Sequence, residues 1–308
     1  MAWYYILLIV IASILLLFIV IFFVTGHIVS KYIFLRREKY EKESDEVWHL
    51  LDEDFYLNCK TKERVEIKSH DNLKLVGYLY RNNSNKYIIF VHGYHGVYYE
   101  QSYLASYMYK QGYNCLLVSD RGHGESEGRY VTMGYEDKFD VENWIKYIIN
   151  QDNNARICLY GWSMGGATIL GTSGLNLPNN VKVLVSDCAY SSIIAEIIFI
   201  AMTKVFKGNK FLSRFASYAT YFYAKVFYKI DLIKDSPLKM HNKSTLPTLF
   251  IHGNVDNFVS KDFIYKLYNS YKGKKEMKIF NTSKHCASLR DNKEEYLELL
   301  SNFINENI

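Results

Sequence analysis

The sequence predicts an α/β fold: a mostly parallel mixed sheet flanked by helices, interrupted by a helical insertion and preceded by one transmembrane helix. Three observations carry this. Continuous apolar runs recur at 87–91, 115–118, 157–160, 181–185 and 248–251, with a shorter one at 277–280, as strands covered on both faces should read. Segments with helical spacing fall between them, near 99–111, 136–150, 164–174, 261–271 and 292–306. Alternation of this kind implies βαβ units and parallel pairing. Residues 2–24 contain no charged side chain.

Taken in chain order, the apolar N-terminal run comes first. Its 23 residues would give a helix of about 34 Å at 1.5 Å per residue, against a hydrocarbon core of about 30 Å. A cleaved signal peptide is the competing reading. The length of the run, the lack of a basic residue before it and the lack of an A-x-A site after it favour an uncleaved anchor. Lys31, Arg36, Arg37 and Lys39 all follow the run. The positive-inside rule then puts the rest of the chain in the cytoplasm, giving a single-pass protein of the cell membrane. Residues 1–37 form the anchor and its basic flank, and the charged stretch 38–53 a juxtamembrane linker or helix. Residues 54–308 form the globular domain. Strands are expected near 54–59, 63–68 and 73–80, the last alternating with period two as a half-exposed antiparallel strand does.

Composition narrows the function. The chain has 308 residues, 49% hydrophobic and 22% charged, enough for a sizeable α/β core and too apolar for global disorder. Its 37 basic against 32 acidic residues are not gathered into one stripe, so no nucleic-acid partner is expected. Five cysteines without a CxxC pair imply reduced thiols, not a disulfide framework. The insertion, about 190–240, is rich in aromatics and in lysine. Its basic, aromatic character matches a face lying on anionic lipid, although a solvated basic face would read the same way.

The chemistry resides in three places. Gly161-Trp162-Ser163-Met164-Gly165 follows an apolar run and opens a helical segment, the strand–turn–helix setting of a nucleophile elbow. Glycines flank the serine because side chains there would collide with the neighbouring strand and helix. A serine needs a base and an orienting acid to attack. Asp256, in His252-Gly253-Asn254-Val255-Asp256, and His285, after the run 277–280, both follow strands and supply the order Ser, Asp, His. All three then gather at one edge of the sheet. Asp187 and Asp120 also follow strands and are rival acids. Two backbone N–H groups are expected to receive the oxyanion, those of Met164 and of Tyr94 in His92-Gly93-Tyr94-His95-Gly96. His92 and His95 lack a third ligand at metal-site spacing, so neither metal nor organic cofactor is expected. Asp120-Arg121-Gly122-His123-Gly124-Glu125-Ser126 reads as a structural turn, with Arg121 and His123 tying loops together.

These motifs, with Ser236-Pro237-Leu238, resemble the α/β-hydrolase superfamily over about residues 55–305. Within it the chain is similar to the monoacylglycerol-lipase-like and serine-aminopeptidase-like branch, which includes membrane-anchored bacterial members. The resemblance implies Ser163 as nucleophile, His285 as base, Asp256 as acid and a helical cap at about 190–240. Members of this branch vary widely in substrate, and the function expected here is a serine hydrolase acting on carboxylic esters with lipid-like or medium acyl chains. A peptidase or thioesterase using the same triad is the alternative, and a non-catalytic scaffold a more distant one. The partners expected are a small ester or lipid substrate and the membrane.

Overall fold

A computed structural model of the chain describes residues 2–36 and 51–308. The expected linker at 38–53 lies outside the described residues except at its C-terminal end. There, helix α1 (Ala2–Phe34) and helix α2 (Glu53–Asn58) bracket the gap. Helix α2 replaces the strand expected near 54–59. The Asp52 carboxylate accepts the Phe55 N–H at 2.9 Å, and Glu53 and Asp54 face the positive helix end, so the local capping chemistry outweighs the apolar alternation.

Eight strands form one sheet: β1 (Lys62–Lys68), β2 (Lys74–Tyr80), β3 (Lys86–Val91), β4 (Asn114–Val118), β5 (Arg156–Trp162), β6 (Val181–Asp187), β7 (Thr248–Gly253) and β8 (Lys275–Phe280). Their spatial order is β1-β2-β4-β3-β5-β6-β7-β8. The pairs β1/β2 and β2/β4 are antiparallel, and all others are parallel. The half-exposed strand expected at 73–80 is a correction: only Lys74 of β2 is exposed. Its position between β1 and β4 covers both faces, and what survives of the sequence pattern is the alternation between two cores, with Val76, Tyr78 and Tyr80 in one cluster and Leu75 and Leu79 in the other.

Helices cover both sides of the sheet. On one side, α3 (Ser102–Lys110) and α11 (Lys293–Asn307) bury Leu104, Met108, Leu300 and Phe303 against β3, β5 and β7. On the other, α4 (Asp137–Gln151) and α5 (Met164–Thr172) bury Trp144, Ile148 and Ile169 against Ile89 and Leu159. Between β6 and β7 the chain forms α6 (Ile193–Ile200), α7 (Lys210–Tyr223) and α8 (Pro237–His241), with five-residue π-helical turns at Ala201–Val205 and Ala224–Tyr228. Helix α9 (Asp262–Ser270) precedes β8, and the short α10 (Ser288–Asp291) precedes α11. Because β3 and β5 to β8 run in the same direction, the loops after their C-terminal ends share one rim of the sheet.

Helix α1 is long and apolar enough to cross a membrane by length and composition. It continues ten residues past Val24, where the sequence pattern alone would end the anchor, and its C-terminal half docks on α7. Phe18 and Phe22 stack edge-on against Phe215, His27 Nδ1 lies 2.7 Å from the Tyr223 hydroxyl, and the Ser30 hydroxyl donates to the Thr220 carbonyl. Gly26 permits this approach, because a Cβ there would overlap the Ala219 carbonyl. Arg36, expected in a free basic flank, donates to the carbonyls of Gly124 and Ser126 at 2.7 Å each. Substituting Gly26→Leu should lower stability by about 1–3 kcal/mol through overpacking of this seam. Thermal unfolding of the full chain in detergent micelles checks it, with Ile19→Leu on the exposed side of α1 leaving the transition unchanged.

Candidate active site

Ser163 occupies the single residue between β5 and α5. Its backbone sits at φ +53° and ψ −119°, a conformation that L residues rarely adopt. The surroundings enforce it. The Ser163 N–H donates to the Asp187 carbonyl at 2.8 Å, and the Ser163 carbonyl accepts the Ala167 N–H at 3.0 Å. A Cβ on Gly161 would overlap the Gly165 backbone, and one on Gly165 would overlap the carbonyls of Val91 and His92. The sequence argument for flanking glycines therefore has a specific steric partner at each position.

Asp256 follows β7 in a tight turn. One carboxylate oxygen accepts the N–H groups of Phe258 and Val259 at 2.8 and 2.9 Å. The other lies 2.7 Å from His285 Nδ1. His285 sits on the loop after β8, and Gly253 allows that loop to approach β7, since a Cβ there would overlap the Ser283 carbonyl. His285 Nε2 lies 2.9 Å from Ser163 Oγ. The structure thus brings Ser163, His285 and Asp256 into one hydrogen-bonded series from three strand ends. A proton on Nδ1 satisfies Asp256 and leaves Nε2 to accept from the serine hydroxyl.

The charges follow from burial and pairing. Burial pushes the Asp256 pKa up, but the hydrogen bond from His285 and its charge more than offset this, so the carboxylate stays ionised below its ordinary range. Burial also works against a charged His285. The hydrogen bond to the Asp256 carboxylate and its charge overcome it, and the His285 pKa lies above the ordinary histidine value. Buried His252, 3.4 Å from Asp256, is pushed down and stays neutral.

The rival acids are placed elsewhere. Asp187 accepts the Tyr296 hydroxyl at 2.8 Å, and burial lifts its pKa to about 6. It supports the turn at Ser163 through its backbone carbonyl. Asp120 is buried beside His92, 3.7 Å away, and its pKa is pushed well up by burial. His92 is committed to backbone groups: one ring nitrogen lies 2.8 Å from the Gly93 carbonyl, and the other accepts the Asp120 N–H at 3.1 Å. Arg121 forks onto Asp140 at 2.6 and 2.7 Å and reaches Asp71 at 3.1 Å, and His123 accepts the His95 N–H at 3.1 Å, so this turn does tie loops together. Gly93 passes beside the nucleophile candidate, its Cβ position 3.5 Å from the Ser163 Cβ, which brings Tyr94 to the rim next to Met164. The Tyr94 hydroxyl donates to the Ile33 carbonyl of α1 at 2.7 Å.

Two features escaped the sequence reading. Glu196, in the first turn of α6, is buried, neither carboxylate oxygen has a hydrogen-bond partner, and burial lifts its pKa to about 8 within the field of His285 and Asp256. The signal was available: it is a single acid inside Ile193-Ile194-Ala195-Glu196-Ile197-Ile198, and a lone carboxyl in an apolar helix is costly to bury without a purpose. The second is a pair of thiols, Cys188 and Cys286, whose sulfurs lie 3.5 Å apart beside His285. Nothing in their spacing of 98 residues announces that contact.

Comparisons agree with this architecture. The family model described as serine aminopeptidase, S33, matches residues 82–221. The chain is 24% identical over 194 residues to the uncharacterized protein YqkD of Bacillus subtilis, a match spanning 63% of this chain and 62% of that one, so about two fifths of the relative has no counterpart in it. Among solved structures, the Pyrococcus furiosus esterase Pf2001 superposes with a TM-score of 0.65 at 21% identity, covering 80% of this chain and 91% of the esterase. An acylaminoacyl peptidase of Pyrococcus horikoshii superposes with a TM-score of 0.57 at 22% identity, covering 81% of this chain and 42% of the peptidase. The mixed eight-stranded sheet and the strand–turn–helix at Ser163 give the chain an α/β-hydrolase fold, and the family match over residues 82–221 agrees with it.

Proposed function

We propose that the chain is a membrane-tethered serine hydrolase that cleaves carboxylic esters of medium or lipid-like acyl chains. The observation that carries the reading is the unbroken series Ser163 Oγ–His285 Nε2 at 2.9 Å and His285 Nδ1–Asp256 at 2.7 Å. In it, His285 takes the Ser163 proton as the hydroxyl attacks the ester carbonyl, and Asp256 steadies the imidazolium. The N–H groups of Met164 and Tyr94 receive the oxyanion. His285 then protonates the leaving alcohol, and the acyl-enzyme is hydrolysed by water that His285 deprotonates. No metal or organic cofactor enters this sequence.

Lipid-like substrates are favoured by the insertion. Helix α7 lies along α1 beside the segment that would cross the bilayer, and Phe211, Leu212, Tyr218 and Phe222 remain exposed next to it. Exposed aromatics interleaved with Lys204, Lys207, Lys210 and Arg214 suit a face resting on anionic headgroups. The basic residues after the apolar run support the cytoplasmic side for this face and the site. A peptidase or thioesterase would use the same series on an amide or thioester. Its specific support is the likeness to the acylaminoacyl peptidase.

Four outcomes test the proposal. Wild-type protein should label with a fluorophosphonate probe and Ser163→Ala should not; a wild type that fails to label removes the enzyme reading. Rates on matched ester, thioester and aminoacyl-amide series of increasing acyl length should be highest for the longer esters. Asp256→Asn should lower kcat by about 10³–10⁴-fold, whereas Asp187→Asn, which keeps the backbone carbonyl under Ser163, should cost far less; equal losses would reassign the acid. Finally, only neutral His285 can accept the serine proton, and its pKa is raised. Activity should therefore fall as pH drops through a value above the ordinary histidine pKa of about 6.5, read from the acid limb of kcat/KM.

A further inference from the structure

The loops that bring His285 to Ser163 also bring two thiols to His285. Cys188 is the first residue after β6, buried, and held at φ +44° with its N–H donating to the Ile251 carbonyl at 2.8 Å. Cys286, at φ +55°, is partly exposed and follows His285 directly. The two sulfurs are 3.5 Å apart, and both lie within 4.8 Å of a His285 ring nitrogen. In a tetrahedral zinc thiolate site, Zn–S bonds of about 2.3 Å separate two sulfurs by roughly 3.8 Å. The observed pair needs only a few tenths of an ångström to reach that. We propose that Cys188, Cys286 and His285 form a site for a thiophilic divalent cation such as Zn²⁺, and that filling it withdraws His285 from Ser163 and silences hydrolysis.

The ligand set is Cys₂His, with solvent as the fourth ligand. Soft thiolates with an imidazole select zinc and its relatives over magnesium or calcium, which require oxygen ligands. Binding proceeds as two thiols plus the dication giving a bis-thiolate complex and two protons, with no redox change. Because binding releases the two thiol protons, the affinity rises with pH. Partial exposure of His285 and Cys286 gives the ion a route that Cys188 alone lacks. The binding half of the inference stands apart from the proposed activity; the inhibitory half rests on His285 being the base.

The test uses the full chain in detergent micelles with a non-thiol reductant, and two readouts. Co²⁺ added to the Ser163→Ala protein should produce a thiolate-to-cobalt charge-transfer band, lost in Ser163→Ala/Cys286→Ser. This reading needs no catalysis and survives failure of the hydrolase proposal. In the Ser163 protein, Zn²⁺ should inhibit ester hydrolysis with a midpoint at least about tenfold lower than in Cys286→Ser or Cys188→Ser, each referred to its own rate in chelator. Absence of the cobalt band overturns the site. A band accompanied by equal zinc midpoints in all variants overturns the inhibitory role, and it assigns any inhibition to the histidine without the thiols.

Discussion

Turning the chain from a buried strand into a buried helix across a single residue forces Ser163 to φ +53°, and the rest of the molecule is arranged to hold it there. Such a conformation costs of the order of 1–3 kcal/mol. It persists because β3, β5 and β6 meet at this point. Gly165 lies against the Val91 and His92 carbonyls, Gly161 against Gly165, and the Asp187 carbonyl takes the serine N–H. The strain is useful, because it lifts a hydroxyl clear of both elements onto the rim where the loops after β7 and β8 arrive.

Those loops are held by the same device of backbone contact. Gly253 admits the Ser283 carbonyl, the Val255 N–H donates to that carbonyl at 3.2 Å, and two backbone N–H groups fix the Asp256 carboxylate. The imidazole is thus positioned by main chain on one side and by the carboxylate on the other. The thiols of Cys188 and Cys286 are by-products of the same convergence: one directly follows β6 and the other directly follows His285.

The N-terminal helix is packed into the body of the molecule. Its last turns pack on α7, its Ile33 carbonyl accepts the Tyr94 hydroxyl, and Arg36 caps carbonyls of the Gly124–Ser126 turn. A segment read as a membrane anchor is therefore continuous with the insertion and touches the loop beside the candidate nucleophile.

By itself the sequence determined the elements whose signals are local. Parallel strands in a buried sheet read as unbroken apolar runs, the nucleophile turn as glycines at fixed offsets, and the order Ser163, Asp256, His285 as a chain of strand ends. Where local signals conflicted, it failed. Asp52 capped a helix where alternation predicted a strand, and β2 was covered on both faces by neighbours the pattern could not include. Only the tertiary structure decided that Asp256 and not Asp187 faces His285, because both follow strands between Ser163 and His285 in the chain and differ only in what packs beside them. It alone seated α1 on α7, left Glu196 without a partner and brought Cys188 to Cys286. Each of these depends on distances between segments far apart in the chain, and composition and periodicity carry no record of such distances.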